Sequence, residues 1–301
     1  MDAGLKILLE AVVDGDMRKC KTFAKKILED NNKKCDQGIK RSLLRKLNNQ
    51  SLEIFEVPFN IKGLIEIEDV SNLFENNRYI LDKREELLVE KILNTWKVRD
   101  ALSECGIRYL NSTLLYGKPG CGKTMLGRYI AYELGIPFIY LNFSNMISSY
   151  LGKTGENINK VFEYISQCKC VFMIDEIDAI GKTRGTEDVG ELSRIVINLM
   201  QALDKLDTGS IVIGATNRID IIDDALKRRF SMKHEVVKPN LDSKVQLIKK
   251  YLDSIPNSNA SDDSIYEFAK KHESSTYAEL TTDLIEIIVK SFADNKVVTL
   301  S

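Results

Sequence analysis

The segment Gly117-Lys118-Pro119-Gly120-Cys121-Gly122-Lys123-Thr124 constrains the fold more than any other part of the chain. It fits the pattern GxxxxGK[ST], follows the apolar run Thr113-Leu114-Leu115-Tyr116 and opens a helical pattern. A strand that turns through glycines into a helix points backbone N–H groups inward at the positive end of that helix. Such a loop cradles phosphate oxygens. In this setting Lys123 is placed to reach β- and γ-phosphates, and the Thr124 hydroxyl to ligate Mg²⁺. Met125, the next helical residue, ends the expected cofactor-binding stretch. A tight turn without a ligand is the bland alternative, and the Lys-Thr ending in a strand–helix context argues against it.

The flanking pattern predicts the architecture. A helix over about 83–104 leads to the strand before the glycine loop. Phe138-Ile139-Tyr140-Leu141 reads as the next strand, a helix lies near 155–167, Val171-Phe172-Met173-Ile174 is a third strand, a helix covers 190–205, and Ile211-Val212-Ile213-Gly214 is a fourth strand. Short apolar strands alternating with helices predict an α/β fold, a doubly wound parallel sheet. Past Pro239 only helical stripes remain, at Val245/Leu247/Ile248/Leu252, Ile265/Phe268/Ala269 and Leu280/Leu284/Ile287/Ile288. Residues 1–50 show three apolar stripes at helical spacing, including Cys20, Phe23, Ala24, Ile27 and Leu28, and predict a small helical bundle. The expected organisation is thus an N-terminal bundle (1–50), a linker (51–82), a large α/β domain (83–237) and a C-terminal helical lid (238–301).

Further candidates fall at strand ends, where an open α/β sheet binds its ligands. The third strand delivers Asp175 and Glu176, 51 residues after Thr124. Asp175 is placed to hold the metal and Glu176 to polarise an attacking water. The fourth strand ends in Gly214-Ala215-Thr216-Asn217-Arg218, which brings the Asn217 amide to the same crevice. Arg228-Arg229-Phe230 adds two guanidiniums shortly after, and surface charge is the plain alternative for that pair.

Taken together, the span from Ser112 to about Val237 resembles the AAA ATPases, P-loop NTPases with a second region of homology that here runs from Ile211 to Phe230. The resemblance implies ATP and Mg²⁺ as cofactors and a homo-oligomer, a hexameric ring with nucleotide between neighbouring subunits. It also implies that Asn217 senses the γ-phosphate, and that Arg228 and Arg229 act as arginine fingers on a neighbour's ATP. The chain departs from the family where Lys118 and Cys121 replace the usual Pro and Thr, and neither change removes a phosphate donor. Its arginines are contiguous where many relatives separate them by two residues, which leaves open which one is the finger. Tyr277-Ala278-Glu279-Leu280 is similar to the small-residue lid of the narrower AAA branch, with Ala278 near the adenine.

Ser149-Tyr150-Leu151-Gly152-Lys153 resembles the central-pore loop of protein-remodelling AAA motors. There an aromatic ring, here Tyr150 followed by Leu151, grips an extended polypeptide without reading its sequence. A packed loop anchor is the alternative for Tyr150. Residues 181–190 resemble the second pore loop of the same enzymes. The N-terminal unit, with Val13-Asp14-Gly15-Asp16, is similar to bacterial AAA proteins that accompany subtilisin-like proteases, which makes such a protease or another adaptor a candidate partner.

Composition removes some alternatives. The only two histidines, His234 and His272, are too far apart for a HExxH zinc-protease motif. The six cysteines include no CxxC pair, so Cys168 and Cys170 are expected as buried thiols beside a strand. No apolar run approaches the ~18–20 residues that span a bilayer, and no secretory signal is apparent after Met1, so the expectation is a cytoplasmic protein without a membrane partner. Residues 1–50 carry 12 Lys and Arg against 7 Asp and Glu. That basic bundle suggests a nucleic-acid-handling loader as the rival function. The Tyr150 loop and the lack of a helix-turn-helix or zinc motif weigh against it. A nucleotide switch that only scaffolds a partner is a third reading, disfavoured because Glu176, Asn217 and both arginines are present.

Overall fold

The computed structural model describes residues 24, 27, 57–70, 74, 78–149, 153–179, 189–206, 209–255, 258–294 and 296–300. Met1–Glu56 and Val57–Ser301 are two compact units. In the first, Ala24 and Ile27 are helical and half-buried, as their stripe predicts; the rest of the expected bundle lies outside the described residues. So do the pore-loop residues Tyr150, Leu151 and Gly152, and residues 180–188.

The second unit is built on a six-stranded sheet. Its strands are β1 (Glu66–Glu68), β2 (Asn111–Tyr116), β3 (Phe138–Asn142), β4 (Val171–Asp175), β5 (Ile211–Thr216) and β6 (Met232–Glu235), in the spatial order β1-β3-β4-β5-β2-β6. Strands β2 to β6 pair in parallel. The α/β doubly wound expectation holds, with one addition at the edge. There β1 runs antiparallel to β3, in the stretch read as linker. Both strands absent from the sequence reading, β1 and β6, are sheet edges.

The central strands are apolar because both faces are covered. On one face lie α1 (Lys83–Glu104) and α2 (Lys123–Leu134). Helix α1 starts at Asp82, whose carboxylate accepts from Arg84 N at 2.7 Å, and buries Leu88, Val89, Ile92 and Trp96 along one stripe. Helix α2 approaches the sheet closely at Gly127, where a Cβ would stand 3.1 Å from both Met173 Sδ and the Phe138 ring. On the other face, Ile158, Val161, Phe162 and Ile165 of α4 (Thr154–Ser166) are buried, as is Leu199 of α5 (Val189–Lys205). Phe162 meets Phe172 edge-on at 5.4 Å. Because Phe172 is fully buried, Phe172→Ala should cost about 3–5 kcal/mol of stability and lower the melting midpoint measured by circular dichroism. The short helices α3 (Phe143–Ser149) and α6 (Asp224–Lys227) sit at strand ends. Cys168 and Cys170 are buried beside β4, as expected.

Beyond β6 the chain is helical: α7 (Leu241–Asp253), α8 (Asp262–Lys271) and α9 (Tyr277–Ala293). Each begins with a side-chain cap, from Asn240, Ser261 and Thr276. The last is a reciprocal capping box with Glu279. Their apolar stripes form a cluster of their own around Leu247, Ile248, Phe268 and Leu280, joined by Ile80 from the strap before α1. Buried Lys244 donates to the carbonyls of His272 and Glu273, placing a cation at the C-terminal end of α8. No described helix is long and apolar enough to cross a membrane.

Candidate active site

Helix α2 starts without a side-chain cap; its N-cap is Gly122, at φ +100°. Its first N–H groups are therefore open to an anion, the arrangement expected of a phosphate cradle. The loop before it cannot be built from other residues at two points. At Gly117 (φ +145°) a Cβ would sit 2.1 Å from the Val236 carbonyl oxygen. At Gly120 (φ +76°) it would press on Thr276 Oγ1 at 2.9 Å and on Ala278 Cβ at 3.1 Å. The Ala278 N–H donates to the Gly120 carbonyl at 3.1 Å, tying α9 to the loop.

Lys123 is nearly buried, and its ammonium donates to the carbonyls of Gly117 and Lys118, both at 2.9 Å, and to Asn217 Oδ1 at 2.7 Å. Desolvation lowers its pKa, while the carboxylates of Asp175 and Asp178 work against that shift. The next residue, Thr124, donates from Oγ1 to Asp175 Oδ2 at 3.0 Å. The Tyr140 hydroxyl donates to the same oxygen at 3.3 Å, and Asp175 Oδ1 accepts from Glu176 N at 2.8 Å. Burial, with the Asp175 charge beside it, pushes the Tyr140 phenol up to about 12. Tyr140 therefore stays a neutral donor at physiological pH.

Glu176 is the one non-glycine among the described residues at positive φ, +56°. Such a conformation costs of order 1–3 kcal/mol and persists only where its surroundings impose it. Here the bend lets Ile177 N donate to the Ala215 carbonyl at 3.1 Å, so that the chain after β4 stays fastened to β5. Asp178, fully buried, takes the Thr216 hydroxyl at 3.1 Å and Asn217 N at 3.4 Å, and so sets the turn that carries Asn217.

Part of this set lines a cleft of about 600 Å³, while Gly117, Tyr140 and Asp178 stand behind its wall. Its polar end holds Lys123, Thr124, Asp175, Glu176 and Asn217; its apolar end holds Ile80, Leu247, Tyr251 and Tyr277. Pro119, Gly120, Gly122, Met125 and Ala278 complete the sequence-derived residues on its wall. Cys121 turns its side chain into the core, where burial raises its thiol pKa, and serves the loop through its backbone alone. Thr124 and Asp175 offer hard oxygen donors side by side, which suits a cation such as Mg²⁺. The cradle suits a nucleotide triphosphate chain.

The two arginines differ. Arg229 is held in its own chain, by Asp204 at 3.3 Å and the Ala225 carbonyl at 3.1 Å. Arg228 is exposed, and its side chain makes no hydrogen bond or ion pair with any described residue. Neither lines this cleft. Sequence reasoning missed Tyr140 and Asp178. Asp178 follows Asp175 and Glu176 as a third carboxylate flanked by Ile177 and Ala179, and that is its one available signal.

Residues 113–238 match the family described as ATPase family associated with various cellular activities (AAA). An uncharacterized AAA family ATPase of Sinorhizobium fredii, y4kL, is 30% identical over 236 residues, which is 75% of this chain and 70% of that protein. The chain belongs to the AAA ATPases. This AAA module is an ATP hydrolase. It is also 36% identical over 177 residues to the proteasome-activating nucleotidase of Thermococcus onnurineus, across 56% of this chain and 44% of that one. With the ATP-dependent zinc metalloprotease FtsH of Aquifex aeolicus it shares 36% over 170 residues, 54% of this chain and 27% of that one. The chain thus spans less than half of these two relatives.

Proposed function

We propose that the protein is a ring-forming AAA motor, a homohexamer that hydrolyses ATP between subunits and draws polypeptide substrates through a central pore in the cytoplasm. One observation carries the reading. Arg228 is an exposed guanidinium that makes no hydrogen bond or ion pair with a described residue, on a chain whose own cleft it does not line. Such a group is suited to act on the nucleotide of a neighbouring copy, where an arginine finger stabilises charge on the transferring phosphoryl group.

Within one subunit the roles divide by position. Loop residues 117–124 hold the phosphates and Lys123 reaches β and γ, exchanging its Asn217 contact for phosphate oxygen. At the apolar end, Ala278 and Tyr277 would border the base. Thr124 and Asp175 would hold Mg²⁺, which when bound would neutralise charge on the phosphate oxygens. Among the described residues no cluster of three or more His, Cys, Asp or Glu could hold a metal alone. Two oxygen donors from the protein would fit Mg²⁺, which is usually bound through one or two side chains beside substrate phosphates. Glu176 accepts a proton from the attacking water, and Asn217 orients that water. Positioning and charge neutralisation thus supply most of the catalysis.

The polypeptide substrate is supported by the Tyr150-Leu151-Gly152 motif and by the similarity to the proteasome-activating nucleotidase and to the ATP-dependent zinc metalloprotease FtsH. A separate subtilisin-like protease or adaptor is the proposed recipient, through the N-terminal unit. ATPase activity is expected to rise on adding unfolded protein. Salt-sensitive DNA binding with no such stimulation would favour the loader. Tyr150→Ala should leave basal ATPase and melting unchanged while abolishing remodelling, and Tyr150→Phe should retain it, because the grip uses the ring's area. A lowered melt with ATPase falling in step would make Tyr150 a packed anchor.

A further inference from the structure

Asp175 accepts from two side chains, and one of them lies outside every motif in the sequence. Thr124 Oγ1 donates to its Oδ2 at 3.0 Å, and the Tyr140 hydroxyl approaches the same oxygen at 3.3 Å. Backbone N–H of Glu176 holds Oδ1 at 2.8 Å. The register explains the reach. Tyr140 pairs with Met173 across β3 and β4, so Tyr140, Met173 and Asp175 share one face of the sheet. The phenol extends two positions along the strand direction to meet the carboxylate. Its ring packs against the core cluster and lies 6.5 Å from the Phe138 ring, so the hydroxyl is presented from a fixed platform.

We propose that Tyr140 is a positioning residue for Asp175, fixing the carboxylate in the orientation that serves the divalent cation. The proposal rests on the reading of Asp175 as a cation-holding residue. An aspartate carboxylate rotates in a broad, roughly two-fold well. Donors from three places, the α2 N-terminus, β3 and the backbone just after β4, confine it to one setting. A neutral phenol adds no charge that would compete for the cation or repel phosphate. Partners of metal-holding groups are commonly worth about 10–100-fold in metal affinity. The Tyr140 contact is long for an O–H···O bond, which puts the expected effect at the lower end of that range.

The test uses the full chain and binding rather than turnover. ADP affinity is measured by titration calorimetry in EDTA and across a MgCl₂ series, for wild type, Tyr140→Phe and Asp175→Asn, with melting curves for each. The expected result for Tyr140→Phe is an unchanged melt, unchanged affinity in EDTA, and about a 10-fold rise in the Mg²⁺ concentration that gives half of the metal-dependent gain. Asp175→Asn should lose most of that gain. If Asp175→Asn loses it while Tyr140→Phe titrates like wild type, the role of Tyr140 is overturned and Asp175 keeps its own. If Tyr140→Phe lowers the melt and weakens metal-free binding in step, Tyr140 is a packing residue and the proposal fails. If Asp175→Asn retains the full gain, the underlying assignment of Asp175 fails first.

Discussion

Replacing Arg228 by Ala is expected to lower ATP turnover about 10³-fold or more while nucleotide binding by the subunit stays near wild type. Arginine fingers supply roughly 10³–10⁵ in rate by stabilising charge on the transferring phosphoryl group. The Arg228 side chain makes no hydrogen bond or ion pair with any described residue and does not line the cleft, so its loss leaves the cleft's own contacts in place. Arg229→Ala should behave differently. It breaks the Asp204 pair and the Ala225 contact, and should show a small loss of stability with a lesser effect on turnover. Mixing Arg228→Ala with Lys123→Ala should restore part of the activity, since an interface between the two can join an intact finger to an intact phosphate cradle. Steady-state phosphate release checks all three. Normal turnover in a strictly monomeric preparation would refute a finger acting between subunits.

Glu176→Gln should keep ATP bound and cut hydrolysis by about 10²–10⁴, the usual worth of a positioned base. The amide has nearly the shape of the carboxylate, and the bend at residue 176 is fixed by Ile177 N on the Ala215 carbonyl, so the backbone is expected to persist. Lys123→Ala should instead weaken binding, because it removes the cation anchored between the two loop carbonyls. A nucleotide-trapping assay beside a phosphate-release assay separates the two outcomes. Unchanged hydrolysis in Glu176→Gln would place the base elsewhere.

The interior of the fold was legible because its signals are local. Four consecutive buried apolar residues mark β4, and a glycine turn running into a helix marks α2. The edges were not. Glu66-Ile67-Glu68 and Met232-Lys233-His234-Glu235 carry too few apolar residues to read as strands, and they belong to the sheet through backbone pairing to β3 and β2. The site divides in the same way. Residues within motifs could be placed by spacing, whereas the contact of Lys123 with Asn217 joins residues 94 positions apart. That of Tyr140 with Asp175 depends on the β3–β4 register. No pattern in one strand reports its neighbour's register.

The meeting of Gly120 with Thr276 and Ala278 leaves no slack between the phosphate loop and the first turn of α9. A packed contact of this kind does not stretch by degrees; it holds or it parts. The capping box fastens that first turn, which is the part of α9 that meets Gly120. A side chain larger than Ala278 at that point would press on the loop at Gly120, so the size of residue 278 sets how closely the C-terminal helices can seat on the phosphate loop.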